Sequence, residues 1–312
     1  MNKKAIWIDC DTGVDDAFAL FTALKIEELD ILGISVTDGN TSLDNGFRNT
    51  RNVVSLAGKE DIRIYKGANK PLIGKSAMDA SEFHGEDGLG GVILPESKAE
   101  VERKLAWDAL YEAVKNSKEK VTVCAIAPLT NIATAIAKHP DIVDYIEEIN
   151  MMGGAAAGGN TTCCAEFNVY HDPEAAENIF KSGIPVNMFG LDVTMKVNFS
   201  RADIKEMETY GNPVAEALKE MVKYPLAYLD TVSYQNDICL HDTLPILYAV
   251  KPELFKGEKC AVYAETQGSI TRGKTVTDLW TDFKFEDRHC RLFLDADREE
   301  IVKITKEAIK NY

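Results

Sequence analysis

Ile6-Trp7-Ile8-Asp9-Cys10-Asp11-Thr12-Gly13-Val14-Asp15-Asp16-Ala17 is the stretch from which the fold can be read. An apolar run ends in acid, a glycine follows, and an apolar stretch of helical character resumes at once. Four carboxylates, Asp9, Asp11, Asp15 and Asp16, fall within eight residues. Capping of the following helix by Asp11, Asp15 or Asp16 is favourable at the positive end of its dipole, but it accounts for one or two of the four. Like charges this close repel, and burying them without a partner costs on the order of several kcal/mol. A bound cation is the simplest remedy, and ligands that are all oxygen select a hard ion, Ca²⁺ or Mg²⁺. A strand over Ala5–Ile8 delivers the acids at its carboxyl end, just before a helix, where open α/β sheets bind their ligands.

Outward from that stretch, apolar strand-like runs alternate with helical patterns. Strands are expected at Asp30–Thr37, Ile62–Tyr65, Val121–Ile126, Glu148–Met152, Val186–Phe189, Cys260–Ala264 and Arg291–Asp295. Helices are expected at Asp15–Lys25, Leu43–Ala57, Val101–Asn116, Leu129–Ala137, Pro173–Lys181, Ile204–Thr209, Asn212–Tyr228, Thr243–Val250 and Arg298–Lys310. The alternation argues for βαβ units: an α/β fold, Rossmann-like, with a mostly parallel central sheet flanked by helices. The Pro173 helix carries its own punctuation, with Asp172 to cap it, Pro173 in its first turn and Gly183 to end it. Two long glycine-rich stretches, Lys66–Glu96 and Gly153–His171, show no period, and loops of that length are usually functional or disordered. No repeat or linker divides the chain, so residues 1–312 read as a single domain.

Composition sets limits. A net charge of −15 with no basic run argues against nucleic acid or an anionic membrane as a partner. No run approaches the ~20 apolar residues of a membrane span, and the apolar part of the N-terminus is too short for a signal peptide. The seven cysteines are odd in number and form no CxxC pair, which fits reduced thiols and a cytoplasmic location.

Three further groups of residues carry chemistry. Asn40 lies just past the second strand, in Thr37-Asp38-Gly39-Asn40, where a plain turn would suit the same residues. The segment from Met151-Met152-Gly153-Gly154 to Gly159-Asn160-Thr161-Thr162-Cys163-Cys164-Ala165-Glu166-Phe167-Asn168 puts Asn160, Glu166 and Asn168 on a glycine-rich loop at a strand end. Such side chains hydrogen-bond sugar hydroxyls. The two cysteines lack the partner pattern of a nucleophile or thiol metal site and read as packing residues. His241-Asp242 precedes the Thr243 helix. Asp242 could be only an N-cap and His241 only a satisfied histidine, but beside an acidic ligand a histidine can also serve as a general acid near neutral pH.

DCDTGVDDA at 9–17, HGEDGLGG at 84–91, APLTNIA at 127–133, MMGG at 151–154, GN followed by AEFN at 159–168, GLDVT at 190–194, HD at 241–242 and TRGKTVTD at 271–278 together resemble the inosine–uridine nucleoside hydrolases, in order and through nearly the whole chain. The resemblance implies cleavage of the N-glycosidic bond of ribonucleosides to ribose and free base, with Ca²⁺ at the carboxyl end of a Rossmann-like sheet and a homodimer or homotetramer as the assembly. It implies Asp11, Asp16, Asp242 and the backbone carbonyl of Ile126 as metal ligands, with Asp9 supporting them from behind. Asp15, Asn40, Asn160, Glu166 and Asn168 would hold the ribose, Met152 would lie against the sugar, and His84 and His241 would stand near the base. Asp11 is the expected general base and His241 the proton donor to the leaving group. Tyr224, Tyr228 and Tyr234 could stack on the base or pack in the core. The retained His241 points to acceptance of inosine and pyrimidine nucleosides alike.

Two rivals fit parts of the pattern. Asp9-Cys10-Asp11 also fits the opening DxD of the DxDxT motif of haloacid-dehalogenase-type phosphatases, with Asp9 as nucleophile and Mg²⁺ as cofactor, but Gly13 stands where that motif has threonine, and the reading leaves Asp15, Asp16, Glu166 and Asn168 without a role. A nucleoside-binding protein without turnover would keep the same sugar site.

Overall fold

The computed structural model describes residues 3–74, 80–232, 236–279 and 289–312; Tyr234 lies outside them. Eleven strands occur among the described residues: β1 Lys4–Cys10, β2 Leu29–Val36, β3 Ile64–Lys66, β4 Val121–Ala125, β5 Ile146–Met152, β6 Val186–Phe189, β7 Asn198–Phe199, β8 Ile238–Cys239, β9 Phe255–Ala264, β10 Thr275–Asp278 and β11 Cys290–Ala296. Nine form one sheet in the order β10-β9-β11-β6-β5-β4-β1-β2-β3, and β7 pairs with β8 apart from it. From β3 across to β11 the neighbours are parallel; β9 and β10 close one edge antiparallel. The run 3-2-1-4-5-6 is the doubly wound order, so its crevice opens between the carboxyl ends of β1 and β4.

β1 is buried on both faces, as a central parallel strand must be. Ile6, Ile8 and Cys10 belong to one apolar core, and Trp7 points into the other. The pleat therefore turns Asp9 to the Trp7 side. The strand is in register with Ser35 of β2 and Ala125 of β4 at that point. Gly13 then breaks the chain into the Val14–Lys25 helix, most of which is buried.

The Pro173–Phe180 helix is capped by Asp172, whose side chain accepts from the Ala175 amide, and Gly183 adopts φ +81° beyond its end. Other boundaries shift for physical reasons. The helix expected over Asn212–Tyr228 divides into Pro213–Met221 and Lys223–Leu229, because Pro225 has no N–H to continue the ladder. The helix expected from Val101 begins at Ala106, and Val101 and Leu105 are exposed with no core to bury them. β9 starts five residues before the expected Cys260, in a polar stretch that only pairing with β11 makes a strand. No helix among the described residues is long and apolar enough to cross a membrane.

Candidate active site

A cavity of about 680 Å³ opens at the carboxyl end of the sheet. Its floor is built from behind. Trp7 Nε1 donates to Ser35 Oγ (2.8 Å), the Ser35 hydroxyl donates to Asp9 Oδ1, and Asn131 Nδ2 donates to the same oxygen (2.8 Å). Burial pushes the Asp9 carboxyl up to about 7, against those two donors, and its Oδ2 has no hydrogen-bond partner. Asp9 does not line the cavity, and one of its oxygens is taken by Ser35 and Asn131.

Asp16 turns back to accept from the amides of Asp11 (3.2 Å) and Gly13 (2.9 Å), so one acid does serve the helix start. Asn40, beyond the end of β2, donates its backbone N–H to Asp11 Oδ2 (2.6 Å) and its carboxamide to Asp11 Oδ1 (3.2 Å) and Asp16 Oδ2 (3.0 Å). Gly39 permits this approach: a Cβ there would sit 2.0 Å from Asp11 Oδ2. Asp242 stands at the N-cap of the Thr243–Tyr248 helix, yet its side chain makes no capping bond. Instead one oxygen each of Asp15, Asp16 and Asp242 come within 4.8 Å of one another, all three residues buried. Burial, with repulsion from the neighbouring acids, raises the Asp11, Asp16 and Asp242 carboxyls, Asp16 to about 7. Asp15 Oδ1 accepts no hydrogen bond, and its nearest basic group, His84 Nε2, is 3.9 Å away. A buried set of hard oxygen donors that repel one another, one of them orphaned, fits a divalent cation.

The facing wall comes from the Gly153–His171 stretch, whose end is a short helix, Phe167–His171, rather than loop. Glu166 caps it. Its Oε1 accepts from the Asn168 amide (3.0 Å), and its Oε2 accepts from Gly154 N (2.8 Å) and Val169 N (3.2 Å). Burial raises this carboxyl to about 7 despite the three donors. Asn168 Nδ2 donates to the Met152 carbonyl (3.2 Å), which sets Met152 beside it at the end of β5. Asn160 is exposed at the loop tip and accepts from Phe167 N (3.0 Å). Cys163 is exposed and Cys164 half-buried, so Cys163 is not the packing residue expected.

Two histidines mark the other end. Val14 N donates to His84 Nδ1 (3.1 Å), which places the proton of a neutral His84 on Nε2. Burial holds His84 below the usual histidine range, the Asp15 charge opposes that shift, and His241 adds to it. His241 pairs its Nδ1 with Thr194 Oγ1 (2.8 Å), leaving Nε2 as the uncommitted nitrogen; burial lowers it too, against Asp15.

Every residue expected in the site is thus near the cavity. Asp15, Asn40, His84, Ile126, Met152, Asn160, Glu166, Asn168, His241 and Asp242 line it, whereas Asp11 and Asp16 lie behind its wall. The converging trio includes Asp15, with Asp11 held against Asn40 alongside. Phe83, Leu191, Met195, Tyr228 and Leu229 complete an apolar wall. Tyr224 is largely exposed and takes no part in it. Asn131 and Thr194, which orient Asp9 and His241, sit inside the PLTN and GLDVT motifs but had no assigned role; the motifs themselves were their signal.

The sequence profile of the inosine-uridine preferring nucleoside hydrolases matches residues 6–303. This chain belongs to that family. A pyrimidine-specific ribonucleoside hydrolase, RihA, from Klebsiella pneumoniae is 38% identical over 308 residues, spanning 98% of each chain. The RihA of Photobacterium profundum is 38% identical over 99% of this chain and 100% of its own. A purine-preferring ribonucleoside hydrolase from Gardnerella vaginalis superposes with a TM-score of 0.93 at 30% identity, over 99% of this chain and 98% of that one. As a nucleoside hydrolase the chain is an N-glycosidase; the family implies a metal-dependent site, and the structure has a buried acidic cluster whose donors would suit one.

Proposed function

We propose that this chain hydrolyses the N-glycosidic bond of pyrimidine ribonucleosides, uridine and cytidine ahead of inosine, to ribose and free base, with Ca²⁺ as cofactor. The observation that carries this reading is the convergence of the Asp15–Asp16–Asp242 carboxylates on one cavity with Glu166 and Asn168. The identity with two pyrimidine-specific relatives supports the base preference. Asp11, Asp16, Asp242 and the Ile126 carbonyl would hold the ion. Bound there, Ca²⁺ supplies charge that orients the ribose hydroxyls and acidifies the attacking water.

The protein groups do the rest. Asp15, on the cavity wall, accepts from the ribose together with Asn40, Asn160, Glu166 and Asn168, and Met152 packs against the sugar. These carboxylates favour the positive charge that develops on the ribose as the bond breaks. Asp11 takes the water's proton: burial and the Asp16 charge make its carboxylate a stronger base than an exposed one. His241, steadied by Thr194, donates a proton to the departing base, and His84 Nε2–H faces the same end. A homodimer or homotetramer in the cytoplasm suits this reading.

Steady-state kinetics on uridine, cytidine, inosine and adenosine test it. The two pyrimidine nucleosides should give kcat/KM values at least about tenfold above the purines, the range that pocket contacts supply. A purine preference would overturn the base assignment. Asp11→Asn and Asp15→Asn separate the base from the sugar ligand: the first should abolish kcat, the second should mainly raise KM.

A further inference from the structure

The TRGKTVTD segment at 271–278 has no place in the chemistry above, yet it packs on the loop that carries Glu166 and Asn160. Residues 154–157 of that loop are held peptide by peptide. The Gly154 carbonyl accepts from Leu191 N (2.9 Å). Thr275 Oγ1 bridges the amide of Ala155 (2.8 Å) and its carbonyl (2.7 Å). Lys274 Nζ donates to the carbonyls of Ala155 (2.9 Å) and Ala156 (2.8 Å). From the opposite side, the Asp192 carboxylate accepts from the amides of Ala156 (2.7 Å) and Ala157 (3.3 Å). An ammonium and a carboxylate thus grip neighbouring peptide groups by their two ends. Each bond has one charged partner, which makes it stronger than a neutral one. The next residue back, Gly154, donates its N–H to Glu166 Oε2.

We propose that Lys274 is a positioning residue for ribose binding: by fixing the Ala155 and Ala156 carbonyls it aims the Gly154 N–H that orients the Glu166 carboxylate. Lys274 itself is absent from the cavity lining, so it acts only through the loop. Burial lowers its pKa, and the Asp192 charge opposes that shift. Gly154, at φ +74°, has Thr275 Cγ2 2.6 Å from where a Cβ would stand, so the brace and the loop touch with no room for a side chain. The inference rests on the assignment of Glu166 to the ribose.

The test is steady-state ribose release from uridine by the Ca²⁺-loaded protein, with Lys274→Met, Lys274→Arg and Asp192→Asn. Lys274→Met should raise KM about tenfold while kcat changes less than about threefold, the loss expected from one charge-assisted hydrogen-bonding group used in ground-state binding. Its Ca²⁺ affinity and melting temperature should stay near wild type, and Lys274→Arg should recover most of KM. Should Lys274→Met not fold, Asp192→Asn weakens the same grip from the amide side and should show the same rise in KM alone. A wild-type KM in Lys274→Met, or in Asp192→Asn where that variant carries the test, overturns the proposal. So does a joint fall of Ca²⁺ affinity, stability and kcat that Lys274→Arg does not rescue. An inactive wild type would sink the hydrolase reading and the clamp together, whereas an active wild type with an unaltered variant sinks the clamp alone.

Discussion

The carboxamide nitrogen of Asn40 stands 3.2 Å from Asp11 Oδ1 and 3.0 Å from Asp16 Oδ2, one donor shared by two buried acids. It joins the ends of β1 and β2 at the crevice and bridges two carboxylates that repel each other. Replacing Asn40 with leucine leaves both short of a donor. In chelator, urea unfolding should show about 2–3 kcal/mol of lost stability, with part of it regained on adding Ca²⁺. An unchanged unfolding midpoint would show that the carboxamide bonds contribute nothing.

Cation binding should stabilise the fold, because it relieves the repulsion among Asp15, Asp16 and Asp242. At a Ca²⁺ concentration 100 times its dissociation constant the gain is about 2.7 kcal/mol, seen as a rise in melting temperature that EGTA reverses. Asp242→Asn should move the Ca²⁺ titration to higher concentration. A melting curve indifferent to Ca²⁺ in the wild type would remove the ion from the account.

His241→Ala should slow uridine hydrolysis by about 10²–10⁴-fold, the usual contribution of a positioned acid. p-Nitrophenyl riboside, whose leaving group needs no proton, should lose far less. Equal losses on both substrates would exclude His241 as the donor.

Glu166 links pH to stability. Its folded pKa, about 7, lies above the ordinary value of 4.5, so the native state holds its proton more tightly than the unfolded chain does. The stability it contributes is complete below pH 4.5 and is lost as pH rises through about 7. Glu166→Gln cannot titrate. In chelator, wild type should therefore lose up to roughly 3 kcal/mol relative to the variant between pH 4.5 and 7, from a shift of 1.36 kcal/mol per unit. A difference that does not vary with pH would mean that Glu166 titrates normally.

Much of this site is legible in the sequence because its residues end strands or start helices. Asp11 and Asp16 follow β1, Asn40 follows β2, Ile126 follows β4 and Met152 ends β5, and the alternation of elements brings those ends together. What escaped is what depends on register and distance. Nothing local ties Asn131 to Asp9 across 122 residues, or Thr194 to His241 across 47. The antiparallel edge escaped because the start of β9 and the short β10 carry polar residues whose strand character comes from their neighbours. The Phe167–His171 helix is too short for an apolar period to show, and it was hidden in the glycine-rich stretch around it.

Ribose release from uridine, measured with Ca²⁺, after EGTA and after Ca²⁺ is restored, with 2′-deoxyuridine as control, tests the central claim most directly. The account predicts release that EGTA abolishes and Ca²⁺ restores, and at least about 10³-fold less turnover of the deoxynucleoside, whose missing hydroxyl leaves buried partners unpaired. Release that survives chelation, or no release from any ribonucleoside with Ca²⁺ present, would contradict it.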